Sequence, residues 1–288
     1  MKILVTGANG QLGRCLSDLS NKTGWEWIFT TRQQFDLTNY SEVSSFIKAT
    51  KPDIIVNTAA YTQVDLAEKE SDKAFDVNRD GIVNLVSAIE NSPTKIIHIS
   101  TDYVFEGIGE VPYKENEPVF PQSVYGFTKA AGEKYLIEKL NDRSYIVRTA
   151  WLYSEYGHNF LKTMLRLGAD RPEINVVDDQ AGTPTYARDL ARGLIRMIEK
   201  INGDEVPAGI YHFTNKNTTT WFKFASKIMD IAGINCLVHP IPTSQFPTPA
   251  KRPAFSALNS DKFESILNFA IRNWEDALPD CIDRINID

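Results

Sequence analysis

Tyr125 and Lys129 stand four positions apart in "VYGFTKAAGEK", a stretch that reads as the first turns of a helix. Residues at that spacing share one helical face, so a phenol and an ammonium point into the same space. A free tyrosine titrates at about pH 10, too high for ready proton exchange at neutrality, and a neighbouring cation stabilises its phenolate. Ordinary surface helices also carry such pairs, so its meaning depends on the rest of the chain. A further hydroxyl, Thr101, closes the apolar run "KIIHIST", with Ser100 before it and Asp102 after it. Thr101 can hold a carbonyl group within reach of Tyr125. The three side chains then form a proton-transfer group.

A partner for that chemistry is legible near the amino terminus. "VTGANGQLGR" sets Gly7, Gly10 and Gly13 between an apolar run and a helix-period stretch. Glycines there permit a tight turn, let the backbone approach a pyrophosphate and let helix and strand pack closely, while the helix amino terminus offers free N–H groups. This predicts a dinucleotide site. A cationic nicotinamide ring would add to the stabilisation of the Tyr125 phenolate, and Lys129 has the length to bond the nicotinamide ribose. Sites that prefer NAD carry an acid about 20 residues further on, against the ribose 2′-hydroxyl. Here "TTRQQFDL" places Thr31 and Arg32 in that region. An arginine pairs with a 2′-phosphate, so NADPH is favoured, with NADH still open. Asp36 and Leu37 follow where they could reach the adenine.

The elements that must position these groups alternate. Strands are expected at 2–7, 25–31, 53–60, 95–101 and 144–151, and helices near 11–20, 41–49, 71–91 and 124–140. Apolar strands separated by helices predict an α/β fold with a doubly wound parallel sheet of the Rossmann type. Ligands of such sheets sit beyond the carboxyl ends of the strands. Residues 1–150 read as the dinucleotide-binding domain, with segments near 174–200 and 222–240 returning to it. The remainder of 151–288 reads as a smaller, interleaved α/β domain that binds substrate. Within it, "PIPTSQFPTPAKRPAFSALN" is rich in proline and reads as an ordered functional loop or lid.

Composition excludes several classes. A chain of 288 residues, 42% hydrophobic and 24% charged, can bury a large core. Its net charge of −6 leaves no basic face for nucleic acid. The opening "MKILVTG" is too short an apolar run for a signal peptide and reads as a first strand, and no stretch approaches the roughly 18 apolar residues of a membrane span. Cys15, Cys236 and Cys281 are scattered and unpaired in spacing, which suits reduced thiols in a cytoplasmic protein. The histidines show no metal-ligand spacing, and no metal site is expected.

With these motifs in hand, the sequence resembles the dTDP-4-dehydrorhamnose reductases of the extended short-chain dehydrogenase/reductase superfamily. The likeness runs nearly end to end, through "TGANGQLG", "DIIVNTAAYTQVDLAE", "ISTDYVFEG", "VYGFTKAAGE", "RTAWLYSEYGHNF", "VVDDQAGTPT", "TTTW" and "FPTPAKRPAFSALN". The resemblance implies reduction of the C4 keto group of dTDP-4-dehydro-L-rhamnose to dTDP-L-rhamnose, a precursor of cell-surface polysaccharide. It assigns Gly10, Gln11 and Leu12 to the pyrophosphate, Asp36 and Leu37 to the adenine, and Ala59, Ala60 and Tyr61 to the length of the cofactor. Thr101, Asp102, Tyr103 and Trp151 match positions near the sugar. Arg252, a planar guanidinium, is the candidate for the substrate pyrophosphate. Some members hold magnesium at a dimer interface through a carboxylate where this chain has Cys15, a poor ligand for a hard cation. That departure argues against the metal and that mode of pairing, and leaves a homodimer open. Two alternatives also stay open: a related nucleotide-sugar epimerase or dehydratase, which Asp102 beside Thr101 would suit, and a non-catalytic dinucleotide-binding regulatory subunit.

Overall fold

Short apolar runs that bury both faces need a parallel sheet covered on both sides. The computed structural model, which describes residues 1–285, builds such a sheet. Its first half runs β1 (Lys2–Thr6), α1 (Gln11–Ser20), β2 (Glu26–Thr30), α2 (Tyr40–Thr50), β3 (Ile54–Asn57), α3 (Val64–Ala67), α4 (Ser71–Phe75), a π-helical turn (Asp76–Asp80), α5 (Gly81–Ile89), β4 (Lys95–Thr101), α6 (Val124–Lys139) and β5 (Ser144–Thr149). The second half runs β6 (Leu152–Tyr153), α7 (Phe160–Asp170), β7 (Glu173–Val177), β8 (Ala181–Gly182), β9 (Thr185–Tyr186), α8 (Ala187–Asn202), β10 (Gly209–His212), β11 (Thr219–Thr220), α9 (Trp221–Ala232), β12 (Leu237–Ile241), α10 (Asp261–Leu267) and α11 (Trp274–Ile285). Among the described residues the main sheet has six strands in the spatial order β10–β5–β4–β3–β1–β2, all parallel. From β1 the chain moves to one side for β2 and returns to the other for β3. A crevice therefore opens beyond Thr6 and Asn57, at the carboxyl ends.

Two apolar layers sandwich the sheet. On one face α1, α8 and α10 bury Leu12, Leu16, Leu190, Leu194, Met197 and Phe263 against Ile3, Val5, Val56 and Val147. On the other, α2, α5 and α6 bury Val43, Ile47, Leu85, Val86 and Leu136 against Leu4, Ile55, Ile96 and Ile146. Each such side chain moved from water into the core contributes roughly 1.5–3 kcal/mol. A separate core gathers Leu161, Met164, Ile174, Phe224, Ile228, Trp274 and Leu278 from α7, β7, α9 and α11.

Three sequence expectations need correction. The segment 222–240 does not return to the sheet: α9 packs on α7 and β12 pairs with β7, because the buried face of α9 carries Phe224, Ile228 and Met229 into the separate core. What returns is α8 together with β10, which pairs with β5. The expected strand to Trp151 stops at Thr149, since Trp151 takes a left-handed backbone with φ 47°. The helix expected over 71–91 is broken by the π-helical turn. That turn carries the buried Asn78, whose amide bonds both backbone groups of Tyr61, at 2.9 and 3.1 Å, and the Thr128 hydroxyl at 2.9 Å.

Candidate active site

The amino end of α6 is set by Ser123, whose hydroxyl accepts the Gly126 N–H at 3.2 Å. A methyl group on Gly126 would lie 2.3 Å from the Tyr103 carbonyl oxygen. The bare glycine therefore lets α6 press against the turn that follows β4, and Tyr125 arrives beside Thr101. The Thr101 hydroxyl lies 3.0 Å from an Asp102 carboxylate oxygen and accepts the Tyr103 N–H at 3.2 Å. Tyr103 meets the Tyr125 ring edge-on, with centroids 5.6 Å apart.

Burial dominates the electrostatics of this corner. Burial pushes the Tyr125 phenol well above its ordinary range, opposed by its hydrogen bond with Thr101. Burial raises Asp102 to about 6, and one of its oxygens has no partner among the described residues. Lys129 is lowered to about 8, by burial first, with Glu133 pulling the other way. Its Nζ does not turn to Tyr125 here. It bonds the Ile99 carbonyl at 2.7 Å and lies 3.1 Å from Nε2 of His98.

Thr101, Asp102, Tyr103, Tyr125, Lys129 and Trp151 line a cleft of about 740 Å³ together with Gly7, Gly10, Gln11, Leu12, Arg32, Asp36, Leu37 and Ala59 to Tyr61. The glycine loop fits a dinucleotide. A methyl group on Gly7, where φ is 69°, would meet the Ala59 backbone at 2.8 Å, and one on Gly13 would meet the Gly7 carbonyl at 2.6 Å. The turn is closed as tightly as backbone permits, and α1 begins at Gln11, directly after Gly10, so its first amide groups have no partner within the helix. Gln11 uses its side chain elsewhere: its oxygen accepts from Ser154 and Asn159, each at 2.9 Å, and its amide group donates to the Leu152 carbonyl at 3.3 Å. Only its backbone is left for a ligand. Arg32 keeps 76% of its side chain in solvent and meets Asp36 at 3.3 Å. Asp36 also accepts from Thr38, and these bonds hold its carboxyl below the usual range against the opposing effect of burial. Leu37 is a core residue.

Trp151 is built from three distant segments. Its indole stacks on Trp221 with centroids 3.5 Å apart and planes 8° off parallel, and a methyl on Gly182 would lie 2.6 Å from the ring. This accounts for "DDQAGTPT" and "TTTW": they supply the gap and the backing plate. Gly182→Ala is expected to displace the indole and lower kcat/KM by roughly 10- to 10²-fold. Cofactor affinity, measured by fluorescence titration, should not change, and a matching loss of cofactor affinity would show that Gly182 acts on the fold as a whole. Arg252 sits on the far side of Tyr103, bonding the Tyr103 hydroxyl at 3.1 Å and Asp65 at 2.5 Å. Cys15 is a buried thiol pushed up to about 12, chiefly by burial and by Glu155. Sequence reasoning missed Asn57 and His98, polar residues inside apolar runs, where that interruption was the available signal, and Asn78, which lies in the polar stretch "DVNRD" and carried no such signal.

The sequence profile described as RmlD substrate binding domain matches residues 1–287. A dTDP-4-dehydrorhamnose reductase of Aggregatibacter actinomycetemcomitans is 43% identical over 285 residues, covering 96% of this chain and 97% of that one. The crystal structure of a dTDP-4-dehydrorhamnose reductase from Clostridium acetobutylicum superposes with a TM-score of 0.94 at 41% identity, covering 99% of this chain and 100% of that one. The Bacillus anthracis reductase, solved in complex with NADP, gives a TM-score of 0.92 at 38% identity, covering 98% and 99%. This chain belongs to the RmlD family, that of the dTDP-4-dehydrorhamnose reductases.

Proposed function

We propose that the chain reduces the C4 keto group of dTDP-4-dehydro-L-rhamnose with NADPH and releases dTDP-L-rhamnose. The observation that carries this reading is the convergence of Thr101, Tyr125 and Lys129 with the glycine loop in one cleft. NADPH, when bound, supplies the hydride for the sugar C4. The amide groups of Gly10, Gln11 and Leu12 hold its pyrophosphate, with Gly7 and Gly13 closing the turn. Ala59, Ala60 and Tyr61 would line its length, and Asp36 and Leu37 would receive its adenine.

The remaining chemistry is a proton transfer. A reduction needs a donor that is protonated at rest, and burial keeps the Tyr125 phenol protonated through neutral pH. Thr101 holds the carbonyl oxygen, and Tyr125 gives its proton as alkoxide charge develops there. An alkoxide is far more basic than a phenolate, so the transfer runs downhill. Lys129 steadies the phenolate left behind and would bond the nicotinamide ribose. Asp102, Tyr103 and Trp151 receive the sugar, and Arg252, already oriented by Asp65 and Tyr103, takes the substrate pyrophosphate. Three buried thiols suit a reducing compartment, the cytoplasm.

The test is loss of reduced nicotinamide absorbance with dTDP-4-dehydro-L-rhamnose, with the sugar product identified by mass and NMR. Stoichiometric consumption yielding dTDP-L-rhamnose is expected. An epimerase would return the hydride and consume none. Arg32 is assigned to the 2′-phosphate, which sets cofactor choice. Arg32→Ala should reduce the preference for NADPH over NADH by roughly 10- to 100-fold, the worth of charge-assisted hydrogen bonds to a phosphate. An unchanged ratio would place discrimination elsewhere in the cleft.

A further inference from the structure

Behind Lys129 a row of buried polar side chains crosses the sheet. His98 Nε2 lies 3.1 Å from Lys129 Nζ, and His98 Nδ1 lies 3.0 Å from the Asn57 amide nitrogen. The Asn57 oxygen accepts from the Thr6 hydroxyl at 2.5 Å, and that hydroxyl accepts the Ala59 N–H at 3.3 Å. Thr6, Asn57 and His98 come from β1, β3 and β4, adjacent strands in register, so the sheet itself aligns them. All three side chains are buried, as is Lys129. Polar groups so placed are satisfied by one another, which makes the position of every proton in the row interdependent.

Two proton arrangements are open to the row. In the first, the Asn57 amide group donates to Nδ1, the ring proton sits on Nε2 and points at Lys129, and Lys129 can receive it only as a neutral amine. The Thr6 hydroxyl then donates to the Asn57 oxygen, which is how the Asn57 amide faces in the structure. In the second, Lys129 is an ammonium donating to Nε2, the ring proton sits on Nδ1, and the Asn57 amide has turned so that its oxygen accepts that proton and its nitrogen donates to the Thr6 hydroxyl, which gives up its own bond to Asn57. The two differ by one proton, taken up from water. In both, Lys129 keeps its bond to the Ile99 carbonyl.

We propose that His98 is a positioning residue for Lys129, and that its neutral tautomer, read by Asn57, switches with the charge of Lys129. Lys129 in turn acts on Tyr125, so the row reaches the proton donor through a single side chain. Burial and the facing Lys129 keep His98 from becoming an imidazolium. The other charges near Lys129 are accounted for. Glu133, one turn further along α6, is locked by Arg148 of β5; Asp102 and Tyr103 lie beyond Tyr125; and on the packed π-helical turn Arg79 closes on Asp80 at 2.7 Å, with Asp76 exposed. The inference rests on the reductase reading only for the role of Lys129, and its first test needs no substrate.

That test is nitrogen NMR of the full chain with labelled histidine, on either side of the Lys129 titration at about pH 8. The expected result is a neutral His98 ring whose proton sits on Nε2 above that pH and on Nδ1 below it. In Lys129→Met the tautomer should no longer respond to pH. One tautomer throughout in the wild-type chain would overturn the proposal, leaving His98 a packing residue. A second arm compares His98→Gln, which can still donate to or accept from Lys129, with His98→Phe, which can do neither. His98→Phe should lose roughly 10- to 10²-fold in kcat, and His98→Gln should recover most of it. Equal rates in the two variants, high or low, would overturn the positioning role.

Discussion

Tyr125→Phe should lower kcat by about 10²- to 10⁴-fold while leaving the affinities for NADPH and sugar nearly unchanged, the range expected when a positioned proton donor is removed. The substitution isolates the proton because the ring stays. Phenylalanine keeps the edge contact with Tyr103, and the hydroxyl it loses is buried, so the fold should be undisturbed. Steady-state turnover with both substrates saturating is the measurement, and a wild-type rate would move the donor to another group. The residual rate carries its own test. Asp102 is the nearest alternative acid, raised by burial to about 6. If it takes over, the residual rate requires the protonated carboxyl and must fall as pH rises through about 6. The wild-type rate should show no such fall there, because the Tyr125 phenol stays protonated across that interval.

Glu133→Ala carries the largest expected effect on stability. Arg148 meets Glu133 with two parallel bonds, Nε to Oε1 at 2.9 Å and Nη2 to Oε2 at 2.6 Å, with side chains only 1% and 3% exposed. The guanidinium also lies 5.0 Å above the Phe105 ring. Removing the carboxylate strands a charge in the core, which costs about 3–5 kcal/mol. For a chain of this size that is a fall in Tm on the order of 10 °C. Glu133→Ala combined with Arg148→Met should recover most of the loss, since an apolar replacement of a buried pair is often neutral. A double variant no more stable than Glu133→Ala would mean that the damage lies in the packing of α6 on β5 and not in the stranded charge. Glu133 also helps to hold Lys129 charged, so Glu133→Gln, which keeps hydrogen bonds without the charge, should lower the Lys129 titration further.

Some features of the site depend on neighbours in the chain and were therefore legible. The alternation of apolar runs with helix-period stretches fixes the direction of each strand, and with it the end of the sheet where ligands collect. The glycine loop is a local structure: Gly7, Gly10 and Gly13 act on one turn and one helix. Tyr125 and Lys129 lie on one helical face by spacing alone, and Thr101 ends the strand that precedes them.

What tertiary structure decided involves partners far apart in sequence. Whether Asn57 and His98 face each other depends on the register of β3 on β4, because a shift of one residue would turn each to the opposite face of the sheet. The π-helical turn exists where Asn78 can reach Tyr61 and Thr128, a gain no helix propensity records. Trp151 needs Gly182 and Trp221 from other strands and helices, and the destination of residues 222–240 turned on which apolar core could accept Phe224 and Ile228. Local spacing determined the reacting groups, whereas the contacts that aim Lys129, Trp151 and Arg252 are long-range pairings that exist only once the chain has closed on itself.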